Sequence, residues 1–86
     1  MQDLLQRIVR LHGVQVGHVV DVILDSTDEK PIGLEVRCED GVHRFLPMAA
    51  AAKAEQEIVI DSPFALLDGD QLAFYRERGI TFRTRL

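Results

Sequence analysis

The sequence predicts a mainly β protein: a small antiparallel β-barrel with a short connector helix and a C-terminal helix plus strand. Three observations carry this prediction. Apolar residues alternate with period two along several short segments, the signature of half-buried strands. Compact turn signals separate those segments: His12-Gly13, the polar run 26–31 and Asp40-Gly41. Finally, 86 residues bury only a modest core, and a flat sheet of that size would leave an apolar face and open edges, which closure or pairing with another chain removes.

The elements follow in order. "RIVRL" (7–11) is β-rich and ends at His12-Gly13, where a residue tolerant of positive φ precedes a glycine, a two-residue hairpin signal. The chain resumes through Val14, Val16 and Gly17 into "HVVDVILD" (18–25). Strict alternation places Val20, Val22 and Leu24 on the inner face and Val19, Asp21 and Ile23 on the outer one, both largely apolar, so the outer face needs a cover. After the polar turn comes the cleanest alternation, "IGLEVRCED" (32–40), with Ile32, Leu34, Val36 and Cys38 inward and Glu35, Arg37 and Glu39 outward. Asp40-Gly41 predicts a type I′ turn returning into "VHRFLP" (42–47). "MAAAAKAE" (48–55) predicts one or two helical turns as a connector, and "QEIVID" (56–61) a further strand.

Ser62-Pro63 is a helix-start signal, serine as N-cap and proline in the first turn. Residues 64–79 read as helix, broken or restarted near Gly69-Asp70, with Leu66, Leu72, Phe74 and Tyr75 as its apolar stripe and Gly79 as its cap. "ITFRTRL" (80–86) alternates again and predicts a closing strand with a basic outer face. The division is a β core over 1–61 and a helix–strand appendage over 62–86, within one domain.

Val9, Gly13, Gly17, Val19, Asp21, Val22 and Asp25 occur in the order of a valine, a glycine turn, a second glycine and a V-x-D-V strand ending in Asp. In this the chain resembles the PRC-barrel family, named for the cytoplasmic domain of the photosynthetic reaction centre H subunit. "IGLEVRCEDGVHRFLP" is similar to the family's central hairpin, with Phe45 and Pro47 in its closing segment, and "EIVID" to its last core strand. The resemblance covers roughly residues 7–61 and consists of glycines and valines rather than reactive groups. It implies a non-catalytic barrel that mediates protein contacts, often as a dimer, with Gly13, Gly17, Asp25 and Gly41 as structural turn residues.

The chemical residues favour structural roles. Asp21 and Asp25 lie four residues apart on a strand, ~13 Å at the strand rise, beyond the roughly 5–10 Å of a working carboxylate pair. His12, His18, His43 and Cys38 form no compact ligand pair, so no metal is expected. Cys38 sits on an inward face and reads as a small hydrophobe. Gly13 and Gly17 match no phosphate-binding loop, so no cofactor is expected either. The lone cysteine excludes an internal disulfide and fits a reducing cytoplasm. No run approaches the ~20 apolar residues of a membrane span, and "MQDLLQR" lacks the features of a signal peptide.

A net charge of −4 argues against a general nucleic-acid binder. The charge is uneven: residues 1–61 carry 6 basic and 11 acidic side chains, residues 62–86 carry 4 and 3. The expectation is therefore a protein-interaction or assembly module without catalysis, whose partner is a second copy in a homodimer or another protein. Its candidate contacts are Val19, Ile23, Leu66, Leu72, Phe74, Tyr75, Phe82 and Arg83. Two other readings stay open: an RNA- or ribosome-associated factor using the arginine-containing tail, and a small-ligand or metal-binding barrel.

Overall fold

The computed structural model describes residues 4–81. Strand β1 (Ile8–Leu11) turns into β2 (Val14–Leu24) through His12 and Gly13, at φ 50° and 82°. Two successive left-handed residues are what a type I′ hairpin demands. Strands β3 (Pro31–Cys38) and β4 (His43–Pro47) form the second hairpin. Its turn is not the type I′ expected. Gly41 alone is left-handed, at φ 84°, its N–H donating to the Cys38 carbonyl at 2.8 Å while Cys38 N–H donates to Val42 at 2.9 Å. That is a three-residue loop with glycine at the bulge, and Asp40 keeps its ordinary φ because its carboxylate accepts from Val42 N–H at 2.9 Å.

The alanine run makes the expected helical connector only as a single turn. It gives one 3₁₀ turn, Met48–Ala50, and then a two-residue strand, β5 (Ala52–Lys53), paired with β6 (Glu57–Ile60). High intrinsic propensity cannot meet the cost of nucleation over so few residues, and pairing with β6 wins. The strand order is β4-β3-β2-β1-β6-β5, with β7 (Ile80–Thr81) joining β2. All pairs are antiparallel except β1 with β6, which run parallel, so the sheet is mixed rather than purely antiparallel. The outer strands β4 and β5 are not partners, and the sheet curls into a half-barrel instead of closing by hydrogen bonds.

One irregularity decides which residues face inward. Val19 pairs with Val36 and Asp21 with Glu35, so Val20 is an extra residue in β2. Such a bulge shifts the alternation by one. Val19 therefore joins Val22 and Leu24 in the core, and Val20, expected inside, is only half-buried. The core also contains Val9, Leu34, Val36, Cys38, Leu46, Ile58 and Ile60. Gly17 is not a turn residue but lies within β2, where a Cβ would stand 2.6 Å from the Arg37 carbonyl oxygen. Glycine is needed there because β2 and β3 approach closely.

On the opposite face of the sheet Ile23, Phe45 and Leu72 form a second cluster, with Ile32, Leu67 and Tyr75 against it. Leu72 and Tyr75 come from helix α1 (Gly69–Arg78), which begins later than residue 64. Ser62 does cap, accepting from Phe64 N–H, but only for a 3₁₀ turn, Pro63–Ala65. Leu67 is then drawn into two backbone hydrogen bonds with Phe45, of 2.8 and 3.0 Å, which cover the β4 edge. Asp68 restarts the helix by accepting from Gln71 N–H at 3.1 Å. Gly79 ends it in extended conformation, where a Cβ would lie 2.6 Å from the Leu24 carbonyl oxygen; close approach, not a left-handed cap, requires this glycine. Over its described part the appendage packs on the protein's own sheet.

Candidate functional site

Two surface features stand apart from the packed core. The first is a polar cleft of about 700 Å³ lined by Val20, Asp21, Glu35, Arg37, Gly41, His43, Arg76 and Thr81. The bulge builds its floor by turning Asp21 to the same side as its cross-strand partner Glu35. Both carboxylates are buried, each 6% exposed. Glu35 is held from two elements: Nδ1 of His43 on β4 lies 2.5 Å from one oxygen, and Arg76 on α1 approaches the other at 3.6 Å. One oxygen of Asp21 accepts from Val22 N–H at 2.8 Å. A buried carboxylate requires such partners, because desolvation alone would disfavour its charge. The cleft thus fastens the end of α1 to the sheet.

The second feature is the end of the half-barrel where the two hairpin turns meet. Glu39 N–H donates to the Val16 carbonyl at 3.0 Å and Gln15 reaches the Glu39 carboxylate at 2.8 Å, joining the β1–β2 turn to the β3–β4 loop. A groove of about 450 Å³ opens here, lined by Gln15, Val16, Cys38, Glu39, Asp40, Arg44, Pro63 and Leu66. Its apolar side is Val16, Cys38, Pro63 and Leu66. Its rim bears both signs of charge, and Arg44 bonds both oxygens of Asp40, at 3.1 and 3.2 Å. That pairing, with the Val42 N–H, holds the Asp40 carboxyl below its ordinary value and raises the Arg44 guanidinium above its own. Around this end stand Val14, Val42 and Phe64, exposed by 63%, 46% and 87%. An 87% exposed phenylalanine leaves most of a large apolar surface in water.

The predicted contact residues divide accordingly. Val19 and Ile23 are fully buried inside the chain itself, Val19 by the bulge and Ile23 by α1, so neither offers surface to another molecule. Leu72 is likewise consumed by internal packing, and Tyr75 stacks on Phe45 with centroids 4.3 Å apart. Phe74 is 46% exposed, edge-on to Tyr75, with the Arg78 guanidinium 4.2 Å from its ring centre. Leu66 lines the apolar groove. Phe82 and Arg83 lie outside the described residues.

Gly13 and Gly41 occupy turns at positive φ, and Asp25 organises the β2–β3 loop by accepting from Thr27 and Asp28 N–H groups. Among the described residues no His, Cys, Asp and Glu side chains gather into a metal-sized group. No helix there is long and apolar enough to cross a membrane.

Sequence reasoning missed two things: the Asp21–Glu35 neighbourhood, and Phe64 as an exposed group. The first depends on a register shift between two adjacent valines that no periodicity reveals. The second had a signal, since the serine-proline start fixes where Phe64 sits, but a helix of full length would have hidden it.

Comparison with curated proteins gives no match. The PRC-barrel domain model matches residues 6–67, which span β1 through Leu67, the residue bridged to Phe45. That segment holds both hairpins, the parallel β1–β6 pair and the groove, and it is most of the chain: the protein belongs to the PRC-barrel domain family.

Proposed function

We propose that this PRC-barrel is an association module that pairs with a second copy of itself through the end of the half-barrel around Phe64. The exposure of Phe64 beside an apolar groove is the observation that carries the reading. A two-fold contact sets the same patch of each copy against the other, so a protruding ring and a receiving groove on one surface can serve both copies at once. The rim supports this choice of partner: it offers Glu39 and Asp40 with Arg44, and a two-fold pairing can set the cation of one copy against an acid of the other. Edge-to-edge pairing is the poorer route, since Leu67 covers β4 and β5 is two residues long.

Phe64→Ser tests the reading, because the ring is already in water and its loss leaves the monomer's core intact. Light scattering on a sizing column should give a dimeric mass for the unmodified protein and a monomeric mass for the variant at the same concentration. Equal masses for the two would dispose of this surface as the interface.

A further inference from the structure

The polar cleft shares no lining residue with the groove beside Phe64, so what it holds is independent of self-association. At about 700 Å³ it falls within the roughly 300–1,000 Å³ of small-molecule sites. Strand register supplies its basic side. Arg37 on β3 pairs with His18 on β2 and with His43 on β4, and directly opposed residues share a face, so three basic side chains cross the sheet in one row. Arg76 reaches the same cleft from α1.

The charges in the cleft are unequally accessible. Asp21 and Glu35 are each 6% exposed; Asp21 accepts from Val22 N–H, and Glu35 is met by His43 and Arg76. Arg37 and Arg76 are both exposed. Among the described residues the Arg37 guanidinium has no ion-pair partner. Arg76 stands 3.6 Å from the Glu35 oxygen, longer than an N–H···O hydrogen bond, which leaves its donors available. An entering solute therefore meets chiefly guanidinium donors, above carboxylates that are buried and already engaged.

We propose that the cleft binds a small organic anion, whose carboxylate or phosphate group is held between Arg37 of β3 and Arg76 of α1. Charge complementarity sets the class: an oxyanion is what a planar guanidinium engages with two parallel donors. The two arginines stand on different elements, so a ligand that engages both adds a second tie between α1 and the sheet beside the Glu35–Arg76 pair. Binding to the folded chain then raises its stability in step with ligand concentration.

The test titrates inorganic phosphate, and separately succinate, into the full chain at ionic strength held constant with sodium chloride, following amide spectra. At least one of the two should give saturable shifts at Arg37, Gly41, His43, Arg76 and Thr81; phosphate alone would mark a phosphoryl ligand and succinate alone a carboxylate. Arg37→Gln should weaken that binding about tenfold to a hundredfold, as loss of charge-assisted hydrogen bonds does. Arg76→Gln should do the same, while Arg78→Gln, an equal change of charge on the same helix but outside the cleft, should leave it unchanged. Arg37 is exposed, so its variant keeps the test valid even where Arg76→Gln loosens α1. Absence of saturation with both anions would overturn the proposal. So would shifts confined to residues remote from the cleft, or an Arg78→Gln effect as large as that of Arg37→Gln.

Discussion

The Phe45 ring packs close to Gly33, and a Cβ built on that glycine would come 2.1 Å from the ring. Gly33→Ala must therefore push Phe45 off its stack with Tyr75, and overpacking of this kind costs about 1–3 kcal/mol. Urea denaturation would read it as a lower midpoint with unchanged slope. Asp40 gives a pH-dependent counterpart. Its folded pKa lies below the ordinary 3.8, chiefly through the Arg44 hydrogen bond and next through Val42 N–H. A depressed carboxylate contributes stability that is present above the unfolded value and lost as pH falls through the folded one. Following the Asp40 carboxyl carbon by NMR should give a midpoint under 3.8 in the unmodified protein, moving up in Arg44→Gln. Little of this residue-scale chemistry was legible. The alternation places Glu35 on the outer face of β3, but its ion pair with Arg76 of α1, 41 positions on in the chain, is a contact that no local pattern records.

At the scale of elements, strands and caps were legible where one local rule decides them. Period two located β1 to β4 and β6, His12-Gly13 gave its hairpin, and the restart expected near Gly69-Asp70 falls at the start of α1. The failures came where two rules competed. Val19 and Val20 are the same residue type, so the bulge that exchanges their faces leaves no trace in hydrophobicity. In the alanine run, propensity favoured helix and pairing with β6 favoured strand. Helix α1 depends on one buried anchor, Leu72, which fills the space over Ile23 and Phe45. Leu72→Ala should cost about 2–5 kcal/mol and should release Tyr75 from Phe45, visible as a rise in tyrosine side-chain mobility. Asp68→Ala, which removes only the cap, should cost about 1 kcal/mol and leave the stack in place.

For the whole molecule, the appendage answers the question raised by the doubly apolar β2. One face fills the half-barrel and the other is covered by α1 from the same chain. The apolar faces of β2 are therefore taken up by packing within the chain. What protrudes is the end near the hairpin turns, with Phe64, Val14 and Val42. Self-pairing there should respond to Phe64 and not to Phe74, whose ring already packs on Tyr75 and under Arg78. The most direct measurement is sedimentation velocity of the unmodified chain across a dilution series. The account predicts a reversible shift from a species of twice 9.7 kDa toward 9.7 kDa on dilution. A single 9.7 kDa species at every concentration would contradict it.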